Sequence, residues 1–533
     1  MKGSTVKTKA DETTRIHLIG AGLANLAAAV YLIEDAGVDP ANITFYEQWE
    51  VAGGALDGSG DPERGYLIRG GRMHEAHYRC YWDLLKRIPS YDDPEVSVYD
   101  ETMEFNSRFV SDAHARLIRD GKRVDLSSYG LSTKDQLDMT RLLFTPESKL
   151  ERLRIEDWFA GEFFQTNYWY LFTSMFAFQK WSSLAEARRY MLRFMHLMPG
   201  MNRLKGILRT KYNQYHSVVV PIRRWLEEKG VRFAMRRAVT DIDFDLKNGR
   251  KRATALTLDS GERIPLGAKD YCFFINGSIV DAPDEGDLER APVLKGVEES
   301  GSWKLWRKIA AKDPAFGLPE VFCGEIDKSK WYSFTVTMRD SRFLDYMEDF
   351  TGNTDGTGGL VTMIDSNWLM SIVIARQPHF PDQPDDVKIF WGYGLYVDHV
   401  GNKVKKPMSE CSGREILEEL WYHLKVEDLM APVMQSDKLV NCIPVAMPFI
   451  DSLFMPRGRG DRPKVLPEGT ENFAFLGQFT EVEDDCVFTV EYTVRTAMEA
   501  VYGLFDCGKE PPPVYVGAHN PVAMMKAAKA ISE

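Results

Sequence analysis

Arg15-Ile-His-Leu-Ile-Gly20-Ala-Gly22-Leu-Ala-Asn25, followed by an alanine-rich run to Asp35 and then by Ile43-Thr-Phe-Tyr-Glu47, is the stretch that decides the fold. Arg15 to Ile19 reads as a short buried strand and Gly20-Ala-Gly22 as a tight turn. Leu23 to Asp35 reads as a helix, and Ile43 to Tyr46 as a second strand that ends in Glu47. A strand, a glycine turn opening a helix, and a strand with a terminal acid form the dinucleotide-binding βαβ unit. The turn lets backbone N–H groups approach a pyrophosphate at the positive end of the helix. Glu47 is placed to accept hydrogen bonds from the adenosine ribose. Gly20, Gly22, Ala24 and Glu47 are therefore candidate cofactor contacts, as is Asn25, which stands where a third glycine is usual. The same reading replaces a targeting signal. Lys2, Lys7 and Lys9 precede the apolar run Leu18 to Ile33, but Asp11 and Glu12 intervene, and the run falls short of the ~20 residues of a membrane span.

Outward from this unit, composition narrows the class. The chain has 533 residues, 44% of them hydrophobic, enough for about three or four domains of ~150 residues each. Against 66 Lys and Arg stand 78 Asp and Glu, a net charge of -12, which argues against nucleic acid as the main partner. The seven cysteines are scattered, with no CxxC spacing, so they read as reduced thiols of a cytoplasmic protein, and no metal site is expected.

Beyond Glu47 come Gly53-Gly54 and then Gly65-Tyr-Leu-Ile-Arg-Gly-Gly-Arg72. An acid followed closely by paired glycines is typical of flavoproteins, whose extended FAD passes a second glycine-rich loop, so FAD is expected rather than NAD. Pro221 to Lys229 reads as a helix, with Val231–Ala234 and Ala238–Phe244 as an added strand pair on the nucleotide domain. Tyr271 to Ile275 and Phe473 to Leu476 read as further buried strands, with a last helix from about Phe488 to Leu504. Val239, Ser278 and Gly477, on or just after these strands, join Gly53, Gly54, Arg72, Met73 and His74 as candidate cofactor contacts. The expected class is α/β: a discontinuous Rossmann-type FAD domain (1–100, 206–300 and 466–508), a helical aromatic-rich cap (101–205), an inserted substrate domain (301–465) and a helical tail (509–533). Arg457-Gly-Arg-Gly-Asp461 and Pro511-Pro-Pro513 read as linkers.

Between Trp158 and Trp181, 11 of 24 residues are aromatic. Phe164, Tyr168, Phe172 and Phe176 recur every four residues, the spacing of one helical face. Such a face either packs a core or walls an apolar substrate channel, and spacing alone does not separate the two. Hydrolase and zinc-protease patterns are absent: there is no GxSxG, and His74-Glu-Ala-His77 is one residue short of HExxH.

Arg69-Gly-Gly-Arg72, the Arg-Arg-Tyr190 segment within Trp181 to Phe194, Tyr212-Asn-Gln-Tyr215 and Arg376-Gln-Pro-His-Phe380 together resemble the oleate hydratase family, also labelled myosin-cross-reactive antigen. The resemblance runs in consistent order from about Ile16 to Leu504. It implies a flavin-dependent hydro-lyase that adds water to the cis double bond of a long-chain unsaturated fatty acid such as oleate, giving a 10-hydroxy fatty acid, with no net redox at the flavin. It makes Tyr190 the source of the alkene proton. The family motif continues with a glutamate that activates water, where this sequence has Met73, a thioether that cannot act as a base. Glu75, two residues on, is a replacement candidate, beside His74, backbone groups and the flavin. For the fatty-acid head group the resemblance points to Gln214 and His379, with a threonine and an asparagine that are here Val373 and Ala375. The loss of the glutamate leaves two other readings open: a double-bond isomerase on the same scaffold, and a flavin- and lipid-binding protein without turnover. At the C-terminus, Asn520-Pro521 opens a helix in which Val522, Met525, Ala528 and Ile531 recur every three residues beside Lys526 and Lys529. That helix either touches a membrane surface or docks on the protein body. Oligomeric state is not legible.

Overall fold

A computed structural model describes residues 7–56, 58–71 and 73–532. Its parallel sheet starts from β1 (Arg15–Ile19), which passes through α1 (Leu23–Glu34) into β2 (Ile43–Glu47). Later segments complete it: β3 (Arg232–Met235) beside β2, β4 (Asp270–Ile275) beside β1, and β5 (Phe473–Leu476) beside β4. Every pairing is parallel, giving the order β5-β4-β1-β2-β3. Strands covered on both faces need nearly continuous apolar runs. Tyr271 to Phe274 supplies one, and the run Ile16 to Ile19 is interrupted only at the buried His17, whose ring meets the Tyr46 hydroxyl at 3.2 Å. α1 is buried from Leu23 to Leu32, its alanines allowing close approach.

The strand pair expected at 231–244 divides between two sheets. β3 joins the parallel edge, whereas Val239–Asp245 pairs antiparallel with Arg252–Leu258 in a separate three-stranded sheet with Arg263–Pro265. The change of direction at the left-handed Arg236 separates them.

A mixed eight-stranded sheet forms the second body, around Trp331–Met338. All eight residues of that strand are buried because both faces are covered. Phe334 and its even-numbered neighbours pack with Phe343 and Trp421 of the helices Arg342–Thr351 and Gly413–Leu424. On the opposite face Thr337 and Thr335 accept hydrogen bonds through Oγ1 from the N–H groups of Tyr66 (2.9 Å) and Ile68 (3.1 Å). The Gly58–Asp61/Gly65–Ile68 hairpin is thus fastened onto the mixed sheet, and it leads to Gly71 and Met73 at the junction of the two bodies. The mixed sheet also recruits Leu117–Arg119, Lys122–Arg123 and Asp284–Glu285, which lie outside 301–465. These edge strands of two or three residues are too short to show an alternating pattern.

The aromatic run is not one helix. Thr166 Oγ1 accepts the N–H of Trp169 (3.1 Å) and starts α2 (Asn167–Phe176), leaving Phe164 in the preceding 3-10 turn. Both readings of the run hold in part: Tyr168 and Phe172 are core, while Phe176 reaches a cavity wall.

α3 (Leu184–Arg193) places Glu186, Arg189, Tyr190 and Arg193 on one face, and all four are buried. Glu186 Oε1 accepts from Arg457 Nε (2.6 Å) and Arg462 Nη1 (2.9 Å). Arg189 pairs with Glu147 and Glu481, both at 2.8 Å. Residues 457–461 are therefore not a linker, because Arg457 is buried in this ion cluster and Asp461 accepts the N–H of Gly458 (2.7 Å). The Gly-Arg-Gly sequence looks flexible, but the arginine just before it, Arg457, is held by the buried Glu186.

No helix among the described residues is long and apolar enough to cross a membrane. The C-terminal helix Pro521–Ser532 docks on the body through the buried Ala523 and Ala527, leaving Val522, Met524 and Met525 outward.

Burial alone would raise the pKa of Glu186, but Arg462, then Arg457 and Arg189, hold it down to about 2 against an ordinary 4.5. A depressed carboxylate contributes stability that is complete above its unfolded pKa and fades as pH falls through the folded one. Glu186→Gln leaves the buried Arg462 without its carboxylate, Arg457 keeping Glu481, and is expected to cost about 3–5 kcal/mol near neutral pH. Thermal melts of wild type and variant check this, and their difference shrinks as pH falls from 4.5 toward 2.

Candidate functional site

Three cavities meet where the parallel sheet, the hairpin and the mixed sheet come together. The largest, about 780 Å³, lies at the carboxyl ends of β1, β2 and β4. Gly20, Gly22, Ala24, Glu47, Gly53, Gly54, Val239, Ser278 and Gly477 all line it. Its donor set fits an extended dinucleotide. Gly22 begins α1 with no side-chain cap and no acid follows in the first turn, so the first N–H groups stay open to an anion. The second glycine loop lies against the first, with Gly53 N donating to Ala21 O at 2.8 Å. Gly53 has φ of +114°, and a Cβ there would sit 2.9 Å from Val219 Cγ2, so only glycine lets the loops pass. Glu47 accepts the Ala21 N–H at Oε2 (2.7 Å) and the Trp49 N–H at Oε1 (3.0 Å), holding the turn as well as facing the cavity. Its burial raises its pKa.

Some expected cofactor contacts fall elsewhere. Asn25 is off the cavity wall; its amide donates to Ile19 O (2.9 Å) and Gly20 O (2.8 Å), satisfying carbonyls at the end of β1. Met73 and His74 line neighbouring cavities instead of the nucleotide cavity. Arg72 lies outside the described residues.

A second chamber, about 90 Å³, is lined by Met73, His74, Glu75, Tyr190, Phe176 and Phe194, and shares Phe488, Thr489 and Val490 with the nucleotide cavity. Tyr190 is almost fully buried, its hydroxyl donating to Val487 O, with Phe176 and Phe178 edge-on at 4.9 Å. Burial pushes its phenol well above the ordinary value. The adjoining arginines do not offset this: Arg188 donates to Leu142 O and Leu143 O, and Arg189 is taken up in the ion cluster.

The His74–His77 segment is a turn, not a helix. His74 pairs with Leu208 through both backbone groups (2.9 and 2.8 Å), and its ring meets the Gln214 amide at 2.6 Å. Glu75 is 1% exposed. Its Oε2 accepts from His77 Nδ1 (2.8 Å) and meets His196 Nε2 (3.3 Å), while Oε1 faces Arg193 Nη1 (3.3 Å). The ligand atoms of Glu75, His77 and His196 lie within 4.8 Å, as in a cation site, but Arg193 already matches the carboxylate's charge. Burial opposes ionisation of Glu75, yet the two histidines and Arg193 hold its pKa at about 2. A carboxylate so stabilised is a feeble base.

The third chamber, about 70 Å³, brings together Gln214, Val373, Ala375 and His379. It shares Gly71, Met73, Leu360, Val373 and Trp391 with the second as common walls. Met73 thus stands between them. Both chambers are small beside the nucleotide cavity, and the unbranched Met73 and Met175 among their walls are the side chains most able to repack. His379 is pushed down to about 4 by burial and then by His216, so near neutral pH it is an uncharged hydrogen-bonding group.

A profile of the MCRA family matches residues 13–502. The chain belongs to that family. It is 40% identical to an oleate hydratase of Streptococcus pyogenes serotype M49 (strain NZ131) over 523 residues, 96% of this chain and 88% of the relative. To a linoleate hydratase of Lactiplantibacillus plantarum it is 33% identical over 530 residues, 91% and 92% of the two chains. Among solved structures, cyclohexylamine oxidase from Brevibacterium oxydans IH-35A aligns with TM-score 0.52 at 12% identity, over 91% of this chain and 97% of the other. A putrescine oxidase aligns with TM-score 0.52 at 13% identity, over 91% and 97%. These two share the fold.

Within this MCRA-family site, sequence reasoning does not single out Arg193, Val487 or Arg209. Arg193 carries a signal, since it falls three residues after Tyr190 and seven after Glu186 on a helix. Val487 acts through its carbonyl, which no sequence marks. Glu75→Gln is expected to lower the melting temperature, since Arg193 then keeps only Asp485 as a counter-ion, while turnover per folded molecule stays within about tenfold, as befits a counter-ion rather than a base. Steady-state assays paired with thermal melts check this; near-complete loss of turnover at unchanged melting temperature contradicts it.

Proposed function

We propose that this chain is an FAD-dependent hydratase that adds water to the cis double bond of a long-chain unsaturated fatty acid such as oleate, giving a 10-hydroxy fatty acid. The observation that carries the reading is the buried Tyr190 hydroxyl in an aromatic chamber that abuts the nucleotide cavity at Phe488–Val490 and shares walls with a further chamber that carries cationic side chains. An isolated alkene is a poor base, so its protonation needs a donor held in register in a water-poor site.

FAD is held by the uncapped start of α1, the two glycine loops and Glu47, and when bound supplies a polar surface beside the chamber with no net redox. Tyr190 gives its hydroxyl proton to one alkene carbon as water oxygen bonds to the other, and the water's spare proton returns to the phenol oxygen. Burial disfavours a free tyrosinate, so the two proton transfers are coupled. Met73 stands between the two chambers and holds no proton. Glu75 fixes Arg193 and the turn instead of acting as the base for the water.

The finer parts of the reading have separate support. All seven cysteines are unpaired, which favours a reducing, cytoplasmic compartment. Exposed Val522, Met524 and Met525 beside Lys526 favour transient contact with a lipid surface that supplies the substrate.

Incubation with oleate in heavy-oxygen water is expected to give a hydroxy acid carrying the label. A conjugated product from linoleate without added oxygen marks an isomerase instead, and no product with FAD fully loaded leaves binding alone. Tyr190→Phe is expected to lower the rate by about 10²–10⁴-fold with FAD content unchanged; a near-normal rate removes Tyr190 from the mechanism.

A further inference from the structure

The head-group chamber presents a charge problem that the expected cradle does not solve. Two of its four expected positions, Val373 and Ala375, cannot donate from their side chains, and His379 is uncharged near neutral pH. Yet the described residues lining the chamber include three cations, Arg209, Lys211 and Arg376, and not one carboxylate. Two of the cations are spoken for: Lys211 pairs with Asp92, and Arg376 with Asp355 at 3.3 Å.

Arg209 is different. Its Nη1 donates to Ser111 Oγ (3.0 Å) and Gly356 O (2.9 Å), both neutral acceptors, and its Nη2 is buried with no hydrogen-bond partner. Among the described residues no acid pairs with it, and burial alone pulls its pKa down to about 10, so it stays charged near neutral pH. The structure holds it firmly. Asn106 clamps its backbone from both sides, accepting the Arg209 N–H (2.9 Å) and donating to its carbonyl (2.7 Å). Gly359, at φ +63°, leaves room for the guanidinium, which any side chain there would strike. A buried cation without a counter-ion is costly unless an anion arrives to complete it.

We propose that the Arg209 guanidinium anchors the carboxylate of the fatty acid, replacing neutral hydrogen-bonding groups missing at Val373 and Ala375 with a charge clamp. The anchor rests on the fatty-acid reading of the site above. Nη2 offers the free donor, Gln214 stands in the same chamber, and the acyl chain runs past Met73 toward Tyr190. Arg209 lines the head-group chamber and Tyr190 the reacting one, so the fixed span between them sets which double bond is presented. The anchor also gives selectivity for free acids over alcohols and esters of equal length, since only the acid brings a charge.

The test uses the FAD-loaded protein and calorimetric titration with myristate and tetradecanol, neither of which has a double bond to react. Wild type is expected to bind the acid roughly 10- to 100-fold more tightly than the alcohol. Arg209→Gln, matched for FAD content and melting temperature, is expected to lose that preference, with Arg209→Lys restoring part of it. Equal wild-type affinities for acid and alcohol overturn the anchor without need of any variant, as does an undiminished preference in Arg209→Gln. Acid preference intact alongside failure to hydrate oleate leaves the anchor standing and defeats the hydratase reading instead.

Discussion

Charges sealed inside the protein along one helix hold the active region together. The face of α3 that packs inward carries Glu186, Arg189 and Arg193 where an ordinary helix carries apolar residues, with Tyr190 among them. Each charge is matched from a different part of the chain: Glu186 by Arg457 and Arg462, Arg189 by Glu147 and Glu481, Arg193 by Glu75 and Asp485. Buried ion pairs are weak sources of net stability, but removing one partner is expensive, so they fix position more than they add strength. What they fix is the direction of one phenol. Arg495 continues the second network through Asp485 (3.2 Å) to Glu491 (3.0 Å), whose carboxylate also accepts the N–H groups of Cys80 and Tyr81. The turn carrying His74 and Glu75, the helix carrying Tyr190 and the helix Val490–Leu504 that borders the nucleotide cavity are thereby locked in one frame.

The architecture explains how a nucleotide fold serves a lipid. The parallel sheet delivers glycine loops and an acid to one edge of a large cavity, as the strand ends of such sheets do. The hairpin fastened to Thr335 and Thr337 then carries the chain directly onto the mixed sheet, so the cofactor cavity and the apolar chambers share walls instead of facing each other across solvent. Met73 is at the meeting point.

Much of the nucleotide site was legible because local rules govern it. A glycine turn, a helix start and a strand-end acid lie close in sequence, and Gly20, Gly22, Ala24, Glu47, Gly53 and Gly54 meet on one wall. Asn25 shows the limit: proximity to the motif does not say whether its amide faces the cofactor or the strand it follows. The apolar chambers were legible only through resemblance, which gathers Tyr190, Gln214, Val373, Ala375 and His379 around one path without explaining their environment. Arg457 and Arg209 were beyond reach. One looks like part of a linker and proves buried; the other has no local mark at all, because lacking a partner is a property of three dimensions. The aromatic run shows the same division, since its period identifies a helical face but not which of its rings meets a cavity.

The order of strands in the parallel sheet has a consequence for how the protein is made. β1 is synthesised first, yet β4, its neighbour, follows the whole aromatic segment, and β5, which covers the next edge, comes only after the whole mixed sheet. A nascent chain that has completed its glycine turn therefore owns the recognisable part of a nucleotide site and none of the closure. Until the last strand emerges, β4 has an open hydrogen-bonding edge of apolar residues, the kind of surface on which chains stick to one another. Cofactor capture, in such a topology, reports completion of nearly the whole polypeptide rather than folding of the domain whose motif announces it.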